Sequence, residues 1–149
     1  MRVYLDNAAT SRVDPRVIDK MIPYFTEIYG NPSSLHTFGQ EAKEAVENSR
    51  KVIAYHLGAK SDEIIFTSGG SESDNLAIIG LALKSKEKGK KHIITSAIEH
   101  HAVLHTCKYL ERVGFDVTYL PVDEFGLVSP SDLDAAIRKD TFLITIMHG

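Results

Sequence analysis

The chain has 149 residues, of which 43% are hydrophobic and 25% are charged, and its net charge at pH 7 is −3. This composition is typical of a folded globular chain and excludes a disordered, collagen-like or coiled-coil protein. The slight acidic excess argues against a nucleic-acid partner, and no apolar run approaches the roughly 20 residues of a membrane span. The single cysteine, Cys107, cannot form an internal disulfide and indicates a reducing, cytoplasmic environment.

The first 60 residues combine polar turns with two predicted helices. Asp14-Pro15 is typical of a helix start, and Pro23 should shorten or kink the helix that follows. A second helix is predicted from His36 to Leu57, with Gly58 as its terminator. Helical spacing predicts that its buried stripe consists of Phe38, Ala42, Ala45, Val46, Val52 and Ile53.

From residue 63 onward, strand patterns and helix patterns alternate. Strands are predicted at 64–67, 92–96, 116–121 and 141–147. Helices are predicted after Gly70, at 102–113 and at 131–139, and the first carries Leu76, Ile79, Ala82 and Leu83. This β-α-β-α-β-α-β order requires crossover connections, so we predict an α/β fold with a mostly parallel sheet and flanking helices. Such a sheet binds ligands beyond the carboxyl ends of its strands.

The turn after the first predicted strand, Ser68-Gly69-Gly70-Ser71, is the most informative segment. Its glycines allow a sharp bend and a close approach to a ligand, and a helix that begins there directs free N–H groups at an anion such as phosphate. The Ser71 hydroxyl is a further donor, and Ser71 with Asp74 has the spacing of a capping box. A tight turn before a well-capped helix explains the same residues equally well.

Three histidines follow the second predicted strand. Adjacent His100 and His101 cannot both face one site in regular structure, so one could lie against a planar ligand while the other turns outward. A metal site would use His101 and His105 with Glu99, but the HExxH pattern and a third ligand are missing. We therefore predict no metal site and favour His101 and His105 as solvated surface residues. Cys107 is expected to be a buried structural thiol.

Four runs in fixed order resemble the cysteine desulfurases, the pyridoxal-phosphate enzymes of the class V aminotransferase group. These are Tyr-Leu-Asp-Asn-Ala-Ala-Thr (4–10), Gly-Asn-Pro-Ser-Ser-Leu-His-Thr-Phe-Gly (30–39), Phe-Thr-Ser-Gly-Gly-Ser-Glu-Ser-Asp-Asn-Leu-Ala-Ile (66–78) and Glu-His-His-Ala-Val-Leu (99–104). The similarity extends across essentially all 149 residues. It implies that residues 1–149 are the N-terminal segment and part of the large cofactor-binding domain of a fold type I enzyme.

The resemblance assigns a role to each polar segment. Gly70 and Ser71 would bind the phosphate of pyridoxal phosphate, and His100 would stack on its ring and could help in proton transfer. Asn7 and Ala8 would lie near the substrate carboxylate or at a dimer contact, and the loop of Asn31 would line the same region. On the residues alone, the two loops are equally well explained as plain turns.

The family reaction removes sulfur from L-cysteine, giving alanine and a persulfide for iron–sulfur cluster assembly. The resemblance therefore implies L-cysteine as substrate and a sulfur-acceptor scaffold protein as partner. We expect a homodimer or a complementing C-terminal polypeptide. The alternatives are another class V relative, such as a selenocysteine lyase or an aminotransferase, and a non-catalytic scaffold or half of a split enzyme.

The sequence lacks several functional residues of the family pattern. The family's cofactor-linking lysine, the aspartate that pairs with the pyridine nitrogen and the persulfide cysteine all belong to later sequence. None of the eleven lysines lies in a His-Lys-x-x-Gly context, and the apolar run 141–147 extends almost to the last residue. We therefore expect these 149 residues to be an N-terminal portion that binds the cofactor weakly or not at all and cannot turn over cysteine alone.

Overall fold

The structure of the chain is a computed structural model that describes residues 1–148. It divides the chain into two compact units, Met1–Ile65 and Phe66–Gly149. Within the described residues, none of the helices has the length and apolar character that crossing a membrane requires.

The unit Met1–Ile65 is helical, and its helix ends follow local signals. It contains α1 (Pro15–Met21), α2 (Pro23–Thr26), α3 (Thr37–Leu57) and a 3-10 turn (Ser61–Glu63). The Asp14 side chain caps α1 by accepting the Arg16 N–H at 2.8 Å. The new helix at Pro23 confirms the predicted interruption. Gly58 ends α3 with a φ of 64°, a left-handed conformation that favours glycine.

The buried stripe predicted for α3 is only partly correct. Ala42 is buried and Ala45 and Val46 are half-buried, but Phe38, Val52 and Ile53 are exposed. Helical spacing shows which face of a helix is apolar, whereas burial also requires a second surface that covers that face. Within residues 1–65 the latter three side chains stay more than a third exposed, even though the Tyr29 ring lies 6.2 Å from that of Phe38.

The second unit is an α/β layer with a three-stranded parallel sheet in the order β2-β1-β3, which confirms the predicted fold class. Its elements are α4 (Gly70–Lys86), β1 (His92–Ser96), α5 (His101–Arg112), β2 (Asp116–Leu120), α6 (Pro130–Ala136) and β3 (Thr141–Thr145). In register, His92 of β1 lies opposite Asp116 of β2 and Thr141 of β3. The core cluster consists of Ile78, Ala82, Ile93, Val103, Cys107, Leu110 and Phe115.

Several elements predicted from residue 64 onward need correction. The run 64–67 forms no strand: its apolar composition suits one, but a strand also needs a neighbour for its backbone hydrogen bonds, and this run pairs with none of the three strands. Helix α6 ends three residues earlier than predicted, and β3 ends two residues earlier. Helix α4 buries Ile78 and Ala82, while Leu76 and Leu83 of the predicted core face are exposed.

The buried imidazole of His92 links all three strands. Its Nδ1 lies 2.7 Å from Oγ1 of Thr141 in β3, and its Nε2 lies 2.8 Å from Oγ1 of Thr118 in β2. Burial lowers the pKa of His92, and the nearby positive charge of Arg138 lowers it further. The carboxylates of Asp140 and Asp116 raise the pKa, but their effect is smaller. The ring is therefore held neutral in the folded chain.

We expect the stability of this unit to fall as the pH drops through about 6.5, the ordinary pKa of histidine. Because the pKa of His92 is lowered only in the folded chain, the unfolded chain binds the extra proton and gains stability in acid. Urea unfolding between pH 7.5 and 5 should show this slope, and His92→Gln should flatten it. The control His56→Gln removes an exposed histidine and should keep it. If His92→Gln showed the same dependence of stability on pH as the parent chain, His92 would not be its source.

Candidate functional site

The start of α4 is a cluster of backbone donors. Ser73 donates the first hydrogen bond of the helix, to the Gly69 carbonyl at 3.1 Å. The N–H groups of Gly70, Ser71 and Glu72 therefore lie outside the helical hydrogen-bond ladder. The aligned peptides of this 17-residue helix also place positive partial charge at the same end.

The space above this helix start is open. A Cβ added at Gly69 or Gly70 would meet no atom within 4 Å. The Ser71 side chain is exposed, so its hydroxyl can donate beside the backbone N–H groups. Three N–H groups, one hydroxyl and room for a ligand form a donor set that fits a phosphate.

The capping box predicted from Ser71 and Asp74 is not formed. The helix begins at Gly70, so Ser71 already lies within its first turn and cannot be the N-cap residue. Instead, Oε2 of Glu72 accepts the Ser68 N–H at 2.7 Å and the Ser68 hydroxyl at 2.6 Å. These two bonds lower the pKa of Glu72 and fix the turn that precedes the helix.

A cleft of about 500 Å³ lies between α4 and α5. Its lining includes Ser71, Asn75, Ile79, His100, His101, Ala102, His105, Thr106 and Tyr109. The structure therefore brings together Ser71 and His100, two of the predicted site residues.

Asn75 and Thr106 join the two helices in this cleft. The Thr106 hydroxyl donates to Oδ1 of Asn75 at 2.6 Å, and Nδ2 of Asn75 donates to the Ser71 carbonyl at 2.7 Å. Sequence reasoning missed both residues. The only local signal was the position of Asn75 four residues after Ser71, which places both on one helix face.

His100 occupies the N-cap position of α5. Its Nδ1 accepts the Ala102 N–H at 3.1 Å, so Nε2 carries the proton of the neutral ring. The ring centroids of His100 and His101 are 6.1 Å apart, and both residues line the cleft. Both rings are exposed at the mouth of this cleft, and because His100 precedes the first helical residue, the pair does not lie in one regular element.

His101 and His105 are exposed and stack with ring centroids 5.2 Å apart. Their exposure agrees with the surface histidines favoured by the sequence. Among residues 1–148, no three His, Cys, Asp or Glu side chains are grouped so that they could hold a metal ion.

The other predicted site residues lie in two exposed turns of the unit Met1–Ile65. Asn7 and Ala8 belong to a turn closed by the Ala9 N–H, which donates to the Asp6 carbonyl at 3.2 Å. Oδ1 of Asn31 accepts the Ser33 N–H at 2.9 Å, which leaves its amide NH₂ to donate. Ala8 has no polar side chain, so only its backbone could bind a carboxylate.

Cys107 is fully buried in the core of the second unit. Burial, with added repulsion from the carboxylates of Glu111 and Glu99, raises the pKa of its thiol to about 11. Since the thiolate is the reactive form, Cys107 is a structural thiol, as the sequence predicted.

A family model described as aminotransferase class-V matches residues 3–149. "Putative cysteine desulfurase IscS 1" of Bacillus subtilis (strain 168) is 57% identical over 148 residues, which are 99% of this chain and 39% of the relative. "Cysteine desulfurase IscS" of Methanosarcina thermophila is 59% identical over 147 residues, 99% of this chain and 36% of the relative. The chain thus spans between 36% and 39% of the length of these two relatives.

Solved structures show the same similarity. A "NIFS-like protein" matches with a TM-score of 0.91 and 48% identity, over 98% of this chain and 40% of that one. "SspA in complex with cysteine" matches with a TM-score of 0.86 and 49% identity, over 93% of this chain and 40% of that one.

Cys107 should resist thiol reagents in the folded chain. A pKa of about 11 leaves roughly a hundredfold less thiolate at pH 8 than an ordinary cysteine has, and burial restricts access further. A chromogenic disulfide reagent should therefore react at least about a hundredfold faster in 6 M guanidinium than in buffer. The variant Ala77→Cys adds an exposed thiol on α4 as a control and should react rapidly without denaturant. Equal rates for both thiols would contradict the structural role.

Proposed function

The chain belongs to the class-V aminotransferase family, and from this premise we propose that it forms the cofactor-phosphate site of a cysteine desulfurase. In this proposal, residues 1–149 are the N-terminal segment and part of the large cofactor-binding domain. The reaction removes sulfur from L-cysteine and leaves alanine and a persulfide for iron–sulfur cluster assembly. The observation that carries the proposal is one cleft lined both by Ser71, at the donor-rich start of α4, and by His100.

Pyridoxal phosphate is the proposed cofactor. When bound, it supplies an electron-withdrawing ring that stabilises negative charge developing on an amino-acid substrate. The N–H groups of Gly70 and Ser71 and the Ser71 hydroxyl would hold its phosphate, helped by the positive end of α4. The chemistry of this donor set supports the assignment.

His100 is the proposed catalytic residue. Its exposed ring would lie flat against the planar cofactor, and the Nε2 proton could be donated to a substrate atom and later recovered. The Ala102 N–H holds Nδ1 as an acceptor, so the neutral ring presents one tautomer. Asn75 supports the site indirectly, because its bond to the Ser71 carbonyl restrains the first turn of α4.

Two exposed turns supply the proposed substrate contacts. Asn7, the backbone of Ala8 and the amide of Asn31 would donate hydrogen bonds to the substrate carboxylate. The choice of cysteine is supported by the names of the relatives and by the 49% identity to "SspA in complex with cysteine".

The remaining parts of the proposal concern partners and location. We propose a homodimer or a complementing C-terminal polypeptide, a sulfur-acceptor scaffold protein and a cytoplasmic location. A buried, reduced Cys107 fits such a compartment.

A chimaera tests the activity. These 149 residues replace the corresponding part of the Methanosarcina thermophila relative, which is 59% identical over 147 residues. We expect release of sulfide and alanine from L-cysteine that depends on added pyridoxal phosphate, with the unaltered relative as positive control. Selenocysteine is assayed in parallel. A chimaera that folds and binds the cofactor but leaves cysteine intact would overturn the proposal, and a strong preference for selenocysteine would favour a selenocysteine lyase.

The phosphate site has its own test in the same chimaera. Ser71→Ala removes one charge-assisted hydrogen bond and should weaken pyridoxal-phosphate binding about tenfold in an absorbance titration. Ser85→Ala makes the same chemical change in the last two turns of α4 and should leave the affinity unchanged. Equal affinities for the two variants would contradict a phosphate contact at Ser71.

A further inference from the structure

A buried carboxylate lies just before His100 at the carboxyl end of β1. Glu99 is only 6% exposed. Its Oε1 accepts the Ser96 hydroxyl at 2.7 Å and the Met147 N–H, also at 2.7 Å. Burying a carboxylate is costly unless hydrogen bonds replace its water, and these two donors are the replacement.

These bonds tie the turn between β1 and α5 to both neighbouring strands. The Ala97 N–H donates to the carbonyl of Leu120, the last residue of β2, at 2.9 Å. Glu99 connects the same turn to Met147, two residues beyond the end of β3. The backbone that leads into His100 is therefore fixed to the ends of all three strands.

His100 depends on this turn because its own side chain is held by a single hydrogen bond, from the Ala102 N–H. We propose that Glu99 is a positioning residue, whose buried carboxylate locks the turn of His100 to the segment after β3 and so sets where the His100 ring lies in the cleft. A charged acceptor suits this task, since its hydrogen bonds are stronger and shorter than those of a neutral one. The catalytic consequence rests on the proposed function, whereas the positioning itself does not.

Amide hydrogen exchange in the chain measures the positioning directly. In Glu99→Ala, the amides of Met147 and Ala102 should exchange at least about tenfold faster. Met147 loses its hydrogen-bond acceptor, and Ala102 loses its own when the His100 ring is released. Glu99→Gln keeps an oxygen acceptor of the same length, so both amides should stay within about threefold of the parent rates.

Two further variants separate positioning from general loss of structure. Glu111→Ala removes an exposed carboxylate of α5 that accepts the Tyr119 hydroxyl, and it should leave both amides unchanged. Glu99→Asp keeps the charge but is one methylene shorter, so it should free Met147 even if Glu99→Ala does not fold. Unchanged exchange at Met147 and Ala102 in Glu99→Asp and Glu99→Ala would overturn the proposal.

The chimaera described above gives the catalytic readout. Glu99→Ala should lower kcat for cysteine about tenfold with KM within about twofold, and Glu99→Gln should recover most of the loss. Equal losses in both variants, or a loss confined to thermal stability, would contradict positioning of His100. A parent chimaera without cysteine turnover would overturn the proposed function instead, and the exchange rates would still decide the role of Glu99.

Discussion

The parallel pairing of β1 with a strand on each side is the constraint on which the second unit depends. All five residues of β1 are buried, so this strand has no contact with water on either face. Because β2 and β3 both run parallel to it, the three strands end at the same edge of the sheet. The turn after Ser96 therefore emerges between the ends of two neighbours, and the residues that follow, Glu99 and His100, are brought there by topology alone.

The polar chemistry of this edge comes from the helices that begin beside it. Ser71 lies in the first turn of α4, and His100 caps α5, and both line one cleft. Both helix starts carry positive partial charge. At α4 the N–H groups of Gly70, Ser71 and Glu72 lie outside the helical ladder, whereas at α5 the Ala102 N–H already donates to Nδ1 of His100. The bond between Asn75 and Thr106 holds the two helices together at this level, so the donors face a common space in the absence of any ligand.

Sequence reasoning succeeded where the determinants are local. Asp14-Pro15 and Gly58 marked helix ends through their own backbone preferences, and β1 was predicted with its observed bounds. It failed where a distant partner decides the outcome. The apolar run 64–67 has the composition of a strand but pairs with none of the three strands, and Phe38 lies on the apolar face of α3 but stays 55% exposed. The composition of a segment indicates which secondary structure it can form, whereas strand pairing and side-chain burial depend on the other segments that pack against it.

The candidate site also contains one part that is determined locally and another that depends on distant residues. The proposed phosphate donors lie within residues 67–73, where glycine freedom, helix geometry and the Ser68–Glu72 bonds act over a few positions, so the sequence could single out these residues as a candidate site. The surroundings of His100 depend on Glu99 and Met147, 48 positions apart, and on Asn75 and Thr106, 31 apart. No periodicity links such residues. A histidine whose neighbourhood is assembled from distant strands is sensitive to changes that leave the proposed phosphate donors intact, so under the proposed function cofactor binding and turnover would respond to different substitutions.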